Sequence, residues 1–226
     1  MLVLGSTVLM PACAQTRPYP SDDLCKREQR CRECSGDGCV KVATPAPWPE
    51  SRVEGGVGPF VMGTLFKVTV PGGAIKYTVL ADGDVTVDYG SDRWLGLQVI
   101  TAEESQVPRR EGQESVRPGA LVNADIPRIL YSKTLNDAEP THIEDRRIWR
   151  SALMYKGSAF NDSTQVTLAE RGSLTAYLTD AMVAGNTTVG YVTHKRLRDS
   201  YLHVQTKGFT FDEFRRIVGS IEALRE

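Results

Sequence analysis

TTVGYVTHKRLRDSYLHVQTKGFTFDEFRRIVGSIEAL, residues 187–224, has the pattern of two β-strands followed by an amphipathic helix. β-Branched and aromatic residues dominate Thr187–Thr193 and Tyr201–Thr206, which predicts two strands. The basic segment His194–Arg198 lies between them and is predicted to form the tip of a hairpin. Because the apolar side of the helix must be buried against something, these strands are its natural partner.

The helix carries a full set of start signals. Thr210 is placed as the N-cap, and Glu213 follows three residues later as the partner of a capping box. Phe209 and Phe214 have the spacing of a hydrophobic staple. One apolar stripe then recurs at helical spacing, formed by Phe214, Ile217, Val218, Ile221 and Leu224. The sequence therefore predicts a domain that ends in a helix packed on a sheet.

Apolar segments between turn residues predict further strands before this end of the chain. An antiparallel meander is expected from Gly63–Val70, Ala74–Leu80, Val85–Tyr89 and Trp94–Ile100. Later strands are expected at Ile126–Lys133, Ile148–Tyr155 and Leu174–Val183, although a helix is an alternative for the last of these. The predicted fold class is α+β: a mostly antiparallel β-sheet closed by a C-terminal amphipathic helix, with a small disulfide-rich N-terminal segment.

Composition excludes some classes of protein. The 27 basic and 28 acidic residues give a net charge of −1, whereas a nucleic-acid-binding domain is usually strongly basic. We therefore expect no nucleic-acid partner. After the N-terminus, no apolar run approaches the roughly 18 residues that a membrane-spanning helix needs.

The N-terminus has the pattern of an export signal. Met1–Ala12 is uncharged and mostly apolar or small, and it is too short to span a bilayer. Leu9–Cys13 resembles the bacterial lipobox, which implies that Cys13 is lipidated and becomes the mature N-terminus. Ala14 resembles the signal for outer-membrane sorting, so the expected location is periplasm-facing on an outer-membrane lipid anchor. The alternative is an apolar N-terminus without structure in a cytosolic protein.

Composition divides the chain into five predicted segments. They are a signal peptide (1–12), a lipidated tether (13–24), a cysteine-rich module (25–41), a Pro/Gly linker (42–59) and an α+β domain (60–226).

Four clustered cysteines admit two chemistries: Cys25, Cys31, Cys34 and Cys39. Four thiolates could hold zinc in a tetrahedral site, whereas an oxidising compartment favours two disulfides with three possible connectivities. The predicted export favours disulfides and no metal. A redox-active Cys31/Cys34 pair is a third possibility, but the motif lacks the βαβ context of such sites.

Motifs for catalysis and for metal binding are missing from the sequence. It has no GxSxG, HExxH or Walker motif, although a triad need not be local in sequence. His142 and His194 fall in a loop and at a hairpin tip, and His203 is expected to point outward from its strand. The acidic residues of the meander flank turns and lack the closing glutamate of an EF-hand: Asp82, Asp84, Asp88 and Asp92. We therefore predict a non-enzymatic protein without a cofactor.

The predicted build resembles two groups of bacterial envelope proteins. An early Val70-Pro71 turn and the terminal pattern Gly208-Phe209…Gly219-Ser220-Ile221 resemble small PsbP/Mog1-like domains over Gly63–Leu224. An anchored domain with long charged loops, at 103–118 and 134–147, resembles the immunity lipoproteins that protect cells from periplasm-acting toxins such as type VI secretion lipases. This resemblance implies a protein partner. Independently of it, the basic tip and the charged loop supply the residues that we predict to contact the partner: Lys195, Arg196, Arg198, Glu144, Asp145, Arg146 and Arg147. An envelope-assembly or structural lipoprotein and a periplasmic hydrolase are the alternatives.

Overall fold

The computed structural model describes residues 36–80, 83–101, 118–122, 124–183, 187–197 and 200–224. The predicted signal peptide, the tether, the first three cysteines of the cluster and residues 103–117 of the predicted loop lie outside the described residues. No helix in the described part of the chain is long and apolar enough to cross a membrane.

The described residues form eleven strands and three α-helices. The strands are β1 (Thr44–Ala46), β2 (Val57–Met62), β3 (Phe66–Val70), β4 (Lys76–Val79), β5 (Val85–Gly90), β6 (Arg93–Ile100), β7 (Val166–Arg171), β8 (Leu174–Val183), β9 (Thr187–His194), β10 (Tyr201–Lys207) and β11 (Glu222–Ala223). The helices are α1 (Asp125–Ser132), α2 (Ile143–Phe160) and α3 (Phe211–Gly219). A short 3-10 helix precedes them at Asp37–Val40. This is the predicted α+β class with mostly antiparallel sheets.

Two sheets organise the domain. The larger one has the strand order β1-β7-β8-β9-β10-β6-β5-β4, and the smaller one has the order β11-β3-β2. All neighbours pair antiparallel except β1 and β7. Strands β4, β5 and β6 form the predicted meander, but β3 belongs to the other sheet. The strand predicted over Gly63–Val70 is present but begins only at Phe66, because residues 63–65 turn the chain from β2 into β3.

One side of the large sheet, which we call the apolar face, packs on α3 and the small sheet. Leu202 and Val204 of β10 and Phe214 and Ile217 of α3 are completely buried in this core. At Gly190 of β9 a Cβ atom would lie 2.8 Å from the Phe214 ring, so the missing side chain lets α3 approach the sheet. The predicted strands, the Thr210–Glu213 capping box and the buried stripe are confirmed here.

The opposite side of the sheet, which we call the tyrosine face, carries Tyr177, Tyr191, Tyr201 and His203. Helices α1 and α2 pack over part of it, and Tyr131 of α1 lies against Tyr177 and Tyr191. A separate small core joins the two helices to each other: Ile129, Ile148, Trp149, Ala152 and Leu153.

The predictions of strands at Ile126–Lys133 and Ile148–Tyr155 are wrong, since these residues lie in α1 and α2. In α1, Pro127 falls in the first turn, where its missing N–H costs no helical hydrogen bond. In α2, Ile148, Trp149, Ala152 and Leu153 recur at helical spacing and are buried. The charged residues between these positions face outward or contact the preceding loop, so the segment is amphipathic rather than a buried strand.

The segment predicted as a linker, 42–59, is in part built into the fold. Residues 44–46 pair with β7 as β1, and residues 57–59 begin β2. Between them, the Trp48 indole N–H donates to the Gly219 carbonyl oxygen at 3.1 Å, and the Arg171 guanidinium carbon lies 4.6 Å from the centroid of the Trp48 ring. These contacts join the segment to the end of α3.

The 3-10 helix is fixed to the end of α2. The Lys41 ammonium donates to the carbonyl oxygens of Phe160, Asn161 and Ser163 at 2.9, 3.1 and 3.0 Å, where a cation complements the helix C-terminus. Cys39 is buried and disulfide-bonded. Since Cys25, Cys31 and Cys34 lie outside the described residues, the pairing of the four cysteines stays a prediction.

Candidate functional site

The three histidines do not assemble into one group. His142 is the exposed residue that precedes α2, and His194 is buried at the end of β9. His203 lies on the side of β10 opposite Leu202 and Val204, as predicted, but it does not point freely into solvent. Its ring stacks on Tyr191 with centroids 5.0 Å apart, and burial lowers the pKa of His203 to about 4. The ring thus lies on the predicted side of the strand, but it is half-buried against Tyr191 rather than fully exposed.

His203 is one member of a cluster of rings on the tyrosine face. Tyr191 contacts His203, Tyr201 and Tyr131, with ring centroids 5.0, 5.7 and 6.1 Å apart. Burial raises the pKa of Tyr191 to about 12 and raises that of Tyr131 well above its usual value. These groups are neutral at pH 7, and their arrangement is that of a packed aromatic core.

A buried lysine lies next to this cluster. Lys156 of α2 has no exposed surface, and its ammonium donates to the Leu130 carbonyl oxygen at 2.6 Å. The ammonium also lies 5.1 Å from the centroid of the Phe160 ring. Burial lowers the pKa of Lys156 to about 8, against the weaker opposing effect of Asp137. Sequence reasoning missed this lysine, which falls in the apolar stripe of α2.

The predicted partner-binding residues 144–147 lie in the first turns of α2 rather than in a loop. Asp145 is buried, and its carboxylate accepts the backbone N–H of Leu121 at 2.9 Å. Arg146 donates to the carbonyl oxygens of Pro140 and Thr141. These two residues fix the start of α2, whereas Glu144 and Arg147 are exposed.

The predicted basic tip follows β9. Lys195 and Arg196 are exposed, and the Lys195 ammonium donates to the Gly172 carbonyl oxygen in the turn between β7 and β8. Arg198 lies outside the described residues. The tip and the start of α2 belong to different elements, and the contacts above tie them to different neighbours.

An apolar surface that sequence reasoning missed lies on and beside two strands. We call it the apolar edge surface, and its large side chains are Val57, Val61, Ile75, Tyr77, Val79 and Leu80. Ile75 is 69% exposed, Val79 63% and Val61 56%, although residues of these types are usually buried. Large apolar side chains exposed on edge strands favour a role in binding.

The position of the two strands explains this exposure. Within the described residues, β4 is the last strand of the large sheet and β2 is the last strand of the small sheet. The Phe60 and Tyr77 rings stack 5.6 Å apart and join the two edges. The apolar residues of β4 are visible in the sequence, but the strand order that makes β4 an edge is set by distant pairing.

Metal chemistry has no site in the part of the chain that the structure describes, where no group of three or more His, Cys, Asp or Glu side chains could hold an ion. The turn aspartates make other contacts: Asp88 accepts the Gly90 N–H at 2.8 Å, and Asp92 pairs with Lys207.

No protein-family model matches this chain, and no curated protein matches it. Its function must therefore be argued from its own residues.

Proposed function

We propose that this protein is a non-enzymatic, lipid-anchored envelope protein that binds another protein and inhibits a toxin acting in the periplasm. The apolar edge surface is the observation that carries the proposal, because it offers a binding partner both apolar side chains and strand edges. Export, anchoring at Cys13 and the resemblance to immunity lipoproteins, all expected from the sequence, suggest the kind of partner.

An edge strand can bind a partner through its backbone as well as its side chains. The outer side of β4 presents N–H and C=O groups that no neighbouring strand pairs among the described residues. A strand of a partner could add to this edge, and alternate side chains would then give specificity. Tyr77 and Val79 project from one side of β4, and Lys76 and Thr78 project from the other.

The scaffold behind this surface favours binding with little loss of conformational entropy. Strand β4 pairs over four residues with β5, and β5 pairs with β6, whose other neighbour is the long strand β10. A binding surface held by a rigid sheet loses less freedom when the partner binds. The predicted contacts at Glu144, Arg147, Lys195 and Arg196 would lie outside the apolar edge surface and are not needed for this mode of binding.

Charge placed on the apolar edge surface tests the proposal. The proposal predicts that a neighbouring gene encodes the toxin, and absence of such a gene would count against it. We expect Val79→Lys with Ile75→Lys to abolish binding to that toxin, measured by calorimetry, and to abolish protection of cells that express it. Thr86→Lys is the matched control, since Thr86 is exposed on the neighbouring strand β5 and points to the other face. If gene deletion does not sensitise cells to toxin-bearing siblings, or if the double variant still protects them, the proposal is wrong.

Anchoring is tested separately. Labelling cells with a clickable palmitate should mark the wild-type protein and leave Cys13→Ser unmarked. Equal label on both proteins, or none on the wild type, would exclude a lipid anchor at Cys13.

We also propose that Cys25, Cys31, Cys34 and Cys39 form two disulfides and bind no metal. The burial of Cys39 against the end of α2 supports a structural role. The intact mass of protein isolated from the periplasm should rise by about four protons on reduction, two for each S–S bond. Stoichiometric zinc in that protein would contradict the proposal.

A further inference from the structure

A cleft of about 190 Å³ lies at one end of the two packed sheets. Its walls come from the segment before β2, the turn after β3, the first residue of β6 and the outer side of α3. Three arginines and two glutamates line it: Arg52, Arg93, Arg216, Glu54 and Glu213. It is far larger than the roughly 10–15 Å³ that admits one water molecule by a comparable measure.

Arg93 is held rigidly in this cleft. Its Nη2 donates to Glu213 Oε1 at 2.8 Å, and its guanidinium carbon lies 4.0 Å from the centroid of the Phe209 ring and 5.6 Å from that of Tyr89. Its Nε is buried and has no hydrogen-bond partner among the described residues. These contacts hold the guanidinium in position at the wall of the cleft.

Positive charge is in excess in the cleft. The Glu213 carboxylate already accepts the Thr210 backbone N–H, the Thr210 hydroxyl and Arg93. Burial opposes its ionisation, but these hydrogen bonds outweigh burial and lower the pKa of Glu213. Arg52 and Arg216 have no ion-pair partner in the described part of the chain. Of the two carboxylates that line the cleft, only Glu54 makes no ion pair among the described residues.

We infer that this cleft binds an oxyanion, a phosphate or a carboxylate, between Arg52, Arg93 and Arg216. Guanidinium groups match the geometry of both anions through paired N–H donors. Arg93 supplies a fixed donor at the wall, and the two exposed arginines can close on the anion from the other sides. The inference does not depend on the proposed protein partner, because a small anion is enough to occupy the cleft.

Titrations of the full-length protein with inorganic phosphate and with acetate test this inference. Ionic strength is held constant with chloride, and the backbone amide resonances of residues 52–54 and of Gly72 are followed by NMR. We expect saturable shifts with at least one anion, and the anion with the lower Kd identifies the preferred class. Shifts that do not saturate, or no shifts with either anion, would overturn the inference.

Variants at the exposed arginines localise the binding. Arg52→Gln with Arg216→Gln should weaken binding at least tenfold, and Glu54→Gln should strengthen it, because the opposing charge is removed. Arg215→Gln is the matched control. Arg215 neighbours Arg216 on α3 but does not line the cleft, and its Nη1 lies 4.0 Å from Asp212 Oδ1. Equal losses in Arg215→Gln and in the double variant would overturn the inference, since they would indicate general charge attraction. Arg93 is left intact because it also packs on Phe209.

Discussion

The two faces of the large sheet are packed by different chemistry. On the apolar face, Leu202, Val204 and the α3 residues Phe214 and Ile217 are completely buried among other apolar side chains. On the tyrosine face, rings that carry hydroxyl or imidazole groups are buried beside the ammonium of Lys156. The completely buried side chains of the apolar face cannot change charge, whereas the tyrosine face packs groups that can, and of these Tyr191 and His203 keep part of their surface exposed.

This difference separates two contributions to stability. Burial of apolar area on the apolar face contributes a free energy that does not vary with pH. On the tyrosine face, any group whose pKa differs between the folded and unfolded states makes the free energy of unfolding depend on pH. We therefore expect substitution of Lys156 or His203 on the tyrosine face to change how the free energy of unfolding depends on pH. Substitutions on the apolar face should change the free energy of unfolding by the same amount at every pH.

The largest expected effect is on the apolar face. Phe214→Ala should lower the free energy of unfolding by roughly 3–5 kcal/mol, because Phe214 has no exposed surface and lies against Gly190 and Leu178. Urea denaturation at pH 7 measures the loss. Arg215→Ala, the next residue on the more exposed side of α3, should change stability by no more than about 0.5 kcal/mol. Similar small losses from both variants would show that α3 is not packed on the sheet.

The apolar face could be predicted from the sequence because its signals are local. Thr210, Glu213 and the stripe from Phe214 to Ile221 lie within twelve residues, and the two strands that receive the helix directly precede it. Capping and periodicity act over one or two turns, so one short segment contains the whole pattern.

The tyrosine face could not be predicted, because its parts are far apart in sequence. Tyr131, Lys156 and His203 come from α1, α2 and β10, and each contacts a residue of another element. In addition, residues that favour β-strands, such as Ile129 and Tyr131, gave α1 the composition of a strand. In α2, Lys156 interrupts the apolar stripe, so the helical pattern was missed there. Tertiary packing of an amphipathic helix outweighs such weak local preferences. The edge position of β4 was missed for a similar reason, since it depends on the order of all eight strands.

Lys156 should give the tyrosine face its largest pH effect. The pKa of Lys156 is about 8 in the folded protein, against 10.5 as its ordinary value. Below pH 8 the lysine is charged in both states, so the cost of burying the charge is fully present. Between pH 8 and 10.5 the unfolded chain binds more protons, and stability must therefore rise with pH.

Lys156→Met removes this rise and keeps a side chain of similar length. We expect wild-type stability to gain about 1–3 kcal/mol relative to Lys156→Met between pH 8 and 10.5, which allows for partial screening of the full shift. The difference between the two proteins matters, because the tyrosines that are buried in the folded state titrate near the top of this range in the unfolded chain of both proteins. Urea denaturation at several pH values gives the two curves, and parallel curves would show that the Lys156 ammonium is solvated.

His203 should make stability fall at acidic pH. Its pKa is about 4 in the folded protein, against 6.5 as its ordinary value. The unfolded chain therefore binds more protons between these values, and stability is lost as the pH falls from 6.5 to 4. His203→Phe keeps a ring against Tyr191 and should remove about 1–2 kcal/mol of this loss.

A second histidine variant is the control for this effect. His142→Gln changes an exposed residue at the start of α2 and should leave the acid dependence of stability as it is in the wild type. The prediction for His203 fails if His203→Phe and wild type lose stability in parallel between pH 6.5 and 4.

The smallest expected effect is an unchanged or slightly higher free energy of unfolding after removal of the Tyr131 hydroxyl. The Tyr131 hydroxyl is buried and has no hydrogen-bond partner among the described residues, and a buried hydroxyl left without a partner costs roughly 1–3 kcal/mol. Tyr131→Phe removes the hydroxyl but keeps the ring contacts with Phe160 and Tyr177, whose centroids lie 4.8 and 5.4 Å away. Stability should therefore stay equal or rise by up to about 1 kcal/mol.

Tyr177→Phe is the matched comparison within the same cluster. The Tyr177 hydroxyl is hydrogen-bonded to Thr193, so its removal should cost about 1 kcal/mol. Opposite signs for the two variants in urea denaturation at pH 7 would show that the tyrosine face contains one satisfied and one unsatisfied hydroxyl. If Tyr131→Phe loses as much stability as Tyr177→Phe, the Tyr131 hydroxyl has a hydrogen-bond partner in solution, such as a buried water molecule. Both hydroxyl groups would then stabilise the tyrosine face through a hydrogen bond.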